Sequence, residues 1–141
     1  MYKKILIPTD GSKSSHEEIK RAERLIDSEG EIIILAVAKK LTPTRFESKT
    51  KIAKFNERMK LEAKKNAQDM KNKLNTPALV RCEIVVGAPA DTIIQVAQDE
   101  NVELIIISSS GKSGVKILIG SVAQRVIKQA ECDVLMIPIK N

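Results

Sequence analysis

The sequence predicts an α/β fold: one domain, residues 1–141, in which helices cover both faces of a five-stranded parallel sheet to form a three-layer α/β/α sandwich. Apolar runs alternate regularly with amphipathic stretches, and an apolar run stands near each end of the chain. Each intervening stretch is long enough for the crossover that two parallel strands require. The run EIIILAV at Glu31–Val37 is almost entirely apolar, which is typical of a central strand covered on both faces.

The first strand is predicted at Lys4–Pro8, and Asp10–Gly11 breaks it. A helix then begins at a capping box, either Ser14–Glu17 or Ser15–Glu18, and Gly30 is predicted to end it. The apolar positions of this helix recur at helical spacing: Ile19, Ala22, Leu25 and Ile26. The second strand, already described, follows directly.

The middle of the chain contains a long amphipathic helix and an alternating strand. After a polar loop over residues 39–48, the helix is predicted from Thr50 to Leu74, with an apolar stripe formed by Ile52, Phe55, Met59, Ala63, Ala67, Met70 and Leu74. The third strand, Ala78–Val86, alternates apolar with charged side chains. This pattern indicates a strand at or near the edge of the sheet, with one solvated face.

The last third of the chain repeats the helix–strand alternation. A turn at Gly87–Asp91 leads into a helix that ends at Asn101 and carries Ile93, Ile94, Val96 and Ala97. The fourth strand is predicted at Glu103–Ile107, the next helix at Ser121–Gln129, and the last strand at Cys132–Ile139.

Composition excludes several classes of protein. The net charge is +6, but the long predicted helix alone has nine basic and three acidic residues between Lys49 and Lys73. With Phe55 as its one aromatic residue, this segment indicates a solvated helix face rather than a nucleic-acid surface. No apolar stretch approaches the roughly 20 residues of a membrane span. Cys82 and Cys132 form no C-x-x-C motif and suit free thiols in a reducing cytoplasm.

Ligands of open parallel sheets bind beyond the carboxyl ends of the strands. Three segments are expected to meet there: Pro8–Gly11, Val37–Ala38 and Ser108–Ser121. The third begins with small residues, which permit close approach to the backbone, and leads into a helix N-terminus at Gly120. A helix N-terminus offers free N–H groups and a positive dipole to anions. The segment therefore predicts a ligand that carries phosphate.

Other motifs are absent or incomplete. A P-loop requires glycine at position 106, which is Ile106, and Gly114 interrupts the start of its helix. The single histidine, His16, has no metal-ligand spacing around it and is predicted at the surface. Asp10 keeps two interpretations: a turn or cap before the first helix, or a carboxylate that accepts hydrogen bonds from a ribose or an adenine-side donor.

Six segments occur together in a characteristic order and spacing: ILIPTDGS at Ile5–Ser12, the strand ends at Ala36–Val37 and Ile105–Ile107, VGAPADTIIQVA at Val86–Ala97, GKSGVKILIGSV at Gly111–Val122, and the closing CDVLMIPI. Through them the chain resembles the universal stress protein family over nearly its whole length. The resemblance implies the strand order 3-2-1-4-5 and a homodimer in which the last strands, Val134 to Ile139, pair. Pairing would also cover an apolar sheet edge that is otherwise exposed.

The resemblance also implies site residues. ATP-binding members carry Gly-x2-Gly-x9-Gly-(Ser/Thr) after the fourth strand; Gly111 and Gly120 match its second and third glycines, and Ser121 its hydroxyl position. Asp10 matches the acidic residue near ribose and adenine, and Val37 matches a backbone contact to adenine. Flanking contacts are matched by Pro8, Thr9 and Val122.

Two positions depart from that pattern. Ser108 stands where the first glycine belongs, and eight residues rather than nine separate Gly111 from Gly120. The Cβ of Ser108 could obstruct close approach of a phosphate or a positive φ, although its hydroxyl could instead donate a hydrogen bond to phosphate. The shorter loop would shift the phosphate-binding N–H groups relative to Asp10.

Three functions remain open at this point. The resemblance favours a cytoplasmic, homodimeric stress-response or signalling module that binds ATP or another adenine nucleotide, with or without Mg²⁺. The alternative is a nucleotide-free dimerisation or interaction module of the same fold, with a degraded phosphate loop and an unknown protein partner. The third is a weak ATPase, in which Asp10 holds a metal through a bound phosphate. Since no general base stands near the loop, an efficient enzyme is not expected.

Overall fold

In the part of the chain that the structure describes, five strands and four helices alternate, as the sequence predicts. The computed structural model describes residues 1–11, 15–42, 48–109 and 119–138. The elements are β1 (Tyr2–Thr9), α1 (Ser15–Leu25), β2 (Ile26–Ala38), α2 (Lys49–Lys73), β3 (Leu79–Val86), α3 (Pro89–Asp99), β4 (Leu104–Ser108), α4 (Ser121–Gln129) and β5 (Asp133–Ile137).

The strands form one parallel sheet in the order β3-β2-β1-β4-β5, which confirms the predicted fold class and order. β1 lies at the centre, where Leu6 is paired with Ile33 of β2 on one side and with Ile105 of β4 on the other. β3 and β5 lie at the two edges, so the edge position inferred from the alternation in β3 is also confirmed. The carboxyl ends of all five strands consequently point toward the same end of the molecule.

Two apolar layers hold the sheet between its helices. On one face, Ile5 and Ile7 of β1 pack with the buried sides of α1 and α2, including Ala22 and Met70. On the other face, Leu6 packs in a second cluster with residues of α3 and α4: Ile93, Ala97, Ala123 and Val126. Successive side chains of a strand point to opposite faces, which is why the central strands need apolar residues at every position. No helix in the described ranges is long and apolar enough to span a membrane.

The predicted role of Gly30 was wrong. α1 ends at Leu25, and Gly30 lies inside β2, which begins at Ile26. The β1–β2 register shifts here, between the pairs Tyr2–Ile26 and Lys4–Glu31. A Cβ on Gly30 would lie 2.7 Å from the carbonyl oxygen of Lys3, so the glycine permits close approach of two backbones at a strand irregularity.

The helix starts were predicted with mixed success. Ser15 is the first described helical residue of α1, which rules out the Ser15–Glu18 capping box; Ser14 lies outside the described residues. Ser48, assigned to a loop from sequence, is the N-cap of α2, and its hydroxyl accepts a hydrogen bond from the Lys51 N–H at 3.4 Å. The bounds of α4 match the prediction.

Candidate functional site

A cavity of about 310 Å³ lies beyond the carboxyl ends of the central strands, where the sequence places a ligand site. Eight of the nine predicted site residues line it: Pro8, Thr9, Asp10, Val37, Ser108, Gly120, Ser121 and Val122. Gly111, the ninth, lies outside the described residues. The volume falls at the lower end of the range of small-molecule pockets, roughly 300–1,000 Å³.

The end of β1 forms the floor of the cavity and turns sharply there. Gly11 has a φ of 78°, in the left-handed region that favours glycine, and its N–H donates a hydrogen bond to the Thr9 hydroxyl oxygen at 3.3 Å. A Cβ at this position would also lie 2.8 Å from the side-chain amide of Asn66 on α2. Both constraints fix the direction in which the chain leaves Asp10.

The backbone of Ser109, which also lines the cavity, connects β4, β5 and α4. Its N–H donates to the carbonyl oxygen of Ile137 at 2.9 Å, and its carbonyl oxygen accepts from the N–H of Gly120 at 2.6 Å. Ser109 is buried, with 7% of its surface exposed. These two bonds anchor the start of α4 to the end of the sheet.

The first turn of α4 faces the cavity without a capping side chain. Gly120 is the N-cap residue, with a φ of −62°, and no side-chain hydrogen bond caps the helix. The first intrahelical bond runs from the Gln124 N–H to the Gly120 carbonyl at 3.0 Å. The N–H groups of the three intervening residues have no partner within the helix. Those residues, Ser121, Val122 and Ala123, all line the cavity, so this wall can bind an anion.

Two charged side chains that sequence reasoning missed also line the cavity, Glu18 of α1 and Lys39 after β2. Glu18 is buried, with 3% of its surface exposed, whereas Lys39 is exposed. Burial and, to a smaller extent, the negative charge of Asp10 raise the pKa of the Glu18 carboxyl to about 8. Glu18 is therefore mostly neutral at pH 7.

The missed residues left different signals in the sequence. Glu18 falls on the apolar stripe of α1, four residues before Ala22, and an acid on a buried face could have been noticed. Lys39 directly follows a strand whose carboxyl end was already assigned to the site. Pro89 and Ile93 of α3 line the cavity because α3 packs over that end of the sheet, which sequence spacing alone does not reveal.

No described residues form a protein metal centre: no group of three His, Cys, Asp or Glu side chains comes together in those parts of the chain. His16 is exposed, as predicted. Cys82 and Cys132 are free and partly buried, and burial raises the pKa of both thiols, which makes them poor nucleophiles.

Comparison with known proteins gives consistent matches over the full length. The model of the universal stress protein family matches residues 1–138. Universal stress protein MJ0577 of Methanocaldococcus jannaschii is 33% identical over 158 residues, covering 100% of this chain and 98% of that protein. Universal stress protein MJ0531 of the same organism is 32% identical over 140 residues, covering 97% and 82% respectively.

Solved structures agree with the sequence matches. The structure of MJ0577 superposes with a TM-score of 0.81 at 35% identity, covering 100% of this chain and 99% of that one. A universal stress protein in complex with cAMP shares the fold with a TM-score of 0.61 at 23% identity, covering 99% of both chains. The strand order, the cavity beyond the central strands and these matches lead to one conclusion: the chain belongs to the universal stress protein family.

Proposed function

We propose that this protein is a stress-response or signalling module that binds an adenine nucleotide, ATP or AMP, in the cavity beyond β1 and β4. The observation that carries the proposal is the uncapped first turn of α4, which faces the same cavity as the Asp10 side of β1. An anionic group and a polar ribose can thus be bound at opposite walls. A solved family member in complex with cAMP provides a precedent for adenine nucleotides on this fold.

The walls of the cavity suit the separate parts of a nucleotide. Phosphate oxygens would accept hydrogen bonds from the N–H groups and the hydroxyl at Ser121, in the field of the helix dipole. Asp10 would accept hydrogen bonds from ribose hydroxyls, and the backbone of Val37 would contact the adenine edge. Val37, Ile93 and Ile107 supply apolar surface for the base. The hydroxyl of Ser108 would donate to phosphate where other members have glycine.

A magnesium ion fits this site only together with a nucleotide. Mg²⁺ takes oxygen ligands and usually combines one or two carboxylates with substrate phosphates and water. The Asp10 carboxylate is the protein ligand in position to serve, since Glu18 is mostly neutral. Mg²⁺ would neutralise phosphate charge beside Asp10, and its binding would depend on the bound triphosphate.

The first test is chemical extraction of nucleotide from freshly purified protein, followed by titration with ATP. We expect bound adenine nucleotide, or a rise in melting temperature with millimolar ATP. Gly120→Ala should lower the affinity for ATP, and Gly120→Val should lower it further. We expect a loss of at least about tenfold for valine, because its side chain would occupy the wall of the cavity where the phosphate binds. Circular dichroism would show that both variants fold.

A clean extract, together with no stabilisation by ATP, would contradict nucleotide binding. The alternative would then be favoured: a nucleotide-free interaction module whose function resides in a protein partner. Catalysis is not part of the proposal, because phosphoryl transfer needs a group that orients the nucleophile as well as a metal-bound phosphate. ATP turnover that Asp10→Ala abolishes while binding is retained would overturn this point.

We also propose that the protein is a cytoplasmic homodimer formed by pairing of β5 strands, over Val134 to Ile139; Ile139 lies outside the described residues. β5 lies at the sheet edge, and its residues are apolar from Val134 to Ile137. The free, partly buried thiols suit a reducing compartment.

The backbone of β5 permits a specific test of this dimer. The Asp133 N–H donates to Glu103 at 3.3 Å and the Ile137 carbonyl accepts from Ser109, so these residues face β4. The N–H and C=O groups of successive residues in a strand point alternately to the two sides of that strand. Since those of Asp133 point toward β4, those of Val134 point away from it, to the outer edge of the sheet. Val134→Pro removes an outward N–H and should yield a monomer, while Val134→Ala should remain dimeric in sedimentation experiments. A proline variant that dimerises as wild type would refute pairing at this edge.

A further inference from the structure

The Glu18 carboxyl is the least expected side chain in the cavity. It lies on the buried face of α1 with 3% of its surface exposed, beside the apolar Ile19 and Ala22. It lines the cavity wall. Within the described parts of the chain, its carboxyl has no hydrogen bond and no ion pair.

Such a group needs an explanation, since the large majority of buried polar side chains have hydrogen-bond partners. A buried polar group without a partner destabilises the fold, and an apolar side chain at this helix position would avoid that cost. Protein atoms surround Glu18 on its core side, whereas the cavity borders it on the other. A partner can therefore come from a molecule bound in the cavity.

The electrostatic surroundings of Glu18 determine whether its carboxyl is protonated or ionised when a molecule binds in the cavity. α1 packs against β1, β2, β4 and α2. Asp10, at the end of β1, acts on the carboxyl with its negative charge, and β4 contributes no ionisable side chain. Lys39, after β2, lines the same cavity, but neither it nor any charged residue of α2 contributes to the pKa shift of Glu18. Burial thus dominates, and a neutral carboxyl carries one O–H donor.

We propose that Glu18 is a ligand-binding residue of this cavity, whose neutral carboxyl donates a hydrogen bond to an oxygen or nitrogen acceptor of the bound nucleotide. This inference rests on the proposed function. The Glu18 carboxyl can donate this hydrogen bond only while it is protonated, in contrast to the backbone N–H groups of α4, which are donors at any pH in this range. Nucleotide binding is then linked to the protonation of one side chain.

The linkage has a measurable form. In the absence of Mg²⁺, a bound anion next to Asp10 disfavours a further negative charge on Glu18, so the complex retains the proton. Above pH 8, where free Glu18 ionises, each binding event must take up a proton. The dissociation constant should then rise by about tenfold per pH unit. Below about pH 7.5, Glu18 should contribute no pH dependence.

The experiment is calorimetric titration of the full chain with ATP, in the absence of Mg²⁺, between pH 7.0 and 9.5. Glu18→Gln keeps an N–H donor and a similar shape but cannot ionise, so it should bind at pH 7.0 within a few-fold of wild type and show a flat profile. Glu18→Leu lacks a donor and should bind about threefold to tenfold more weakly at pH 7.0. Glu17→Gln is the matched control: it removes an acid one residue away and should retain the wild-type profile. Circular dichroism at each pH would verify folding.

The possible outcomes separate the two proposals. Wild type that binds ATP with equal affinity at pH 7.0 and 9.5 would overturn the role of Glu18 and leave the proposed function intact. Glu18→Leu that binds as tightly as wild type at pH 7.0 would overturn the donor role in the same way. Wild type that binds no ATP at any pH would overturn the proposed function, and this inference with it.

Discussion

The buried carboxyl of Glu18 should make the stability of the protein without ligand depend on pH. The folded state holds the proton with a pKa of about 8, against 4.5 for an ordinary glutamate in the unfolded chain. The folded state therefore binds more protons between these values, and the free energy of unfolding falls as pH rises through that window. The stabilisation relative to the ionised state is complete below pH 4.5 and is lost as pH passes 8.

The size of the effect follows from the shift. Full ionisation of Glu18 would cost on the order of 5 kcal/mol, and the part lost between pH 6 and pH 8 is about 2 kcal/mol. This is a large fraction of the stability of a typical domain, roughly 5–15 kcal/mol. Urea unfolding at pH 6, 7 and 8 should show the decline in wild type, and Glu18→Gln should remove it.

The comparison with Glu17→Gln isolates the buried site. Glu17 is adjacent on α1 and only partly buried, so its replacement removes an acid from the same helix and should not change the slope. If wild type and Glu18→Gln give parallel pH profiles between pH 6 and pH 8, the carboxyl is not held neutral in the fold. The physical argument for a proton-dependent donor would then fail as well.

Three further predictions concern stability. Gly30→Ala should lower the free energy of unfolding by about 1–3 kcal/mol because its Cβ meets the Lys3 backbone; Gly87→Ala, whose Cβ meets the rotatable Thr92 hydroxyl, should cost less than half as much in the same urea assay. Gly11→Ala should cost about 1–2 kcal/mol from its positive φ, and an unchanged melting curve would contradict the assigned turn. Arg81 forms ion pairs with Glu31, Glu83 and Glu100. Arg81→Gln should therefore lower the free energy of unfolding by about 1 kcal/mol, and 0.5 M salt should reduce the difference between wild type and variant if that difference is electrostatic.

The sequence was sufficient for the fold because its hydrophobic patterns are strong. The apolar runs Ile32–Ala38 in β2 and Leu104–Ile107 in β4 favour buried strands. The long stripe of α2 places Ile52, Ala63, Ala67 and Met70 inside, as observed. The bounds of α4 were also predictable, since a Gly-Ser pair precedes a short amphipathic stretch. The strand order came from family resemblance, and the pairing of β1 with both β2 and β4 confirms it.

Other features depended on tertiary contacts that local patterns do not encode. Ile26 fits a helical spacing as well as a strand, and Gly30 resembles a helix stop until the neighbouring backbone of Lys3 is seen. The position of Glu18 on the apolar stripe of α1 indicates burial, but only packing shows that Glu18 borders the cavity. The two bonds that anchor α4 to the sheet are formed by the backbone of Ser109, and the identity of a side chain gives no signal for backbone bonds.

The central position of β1 determines when the cavity can form during synthesis. Of the five strands, β1 is synthesised before the others and can pair early with β2, but its second neighbour, β4, begins at Leu104. Contacts of such long sequence separation form slowly, because a long loop must close first. The first turn of α4, which lines the cavity, comes later still, at Ser121. A chain that ends before α4 therefore exposes an apolar half-sheet and has no complete cavity, so any ligand of this cavity can stabilise only a product that includes α4.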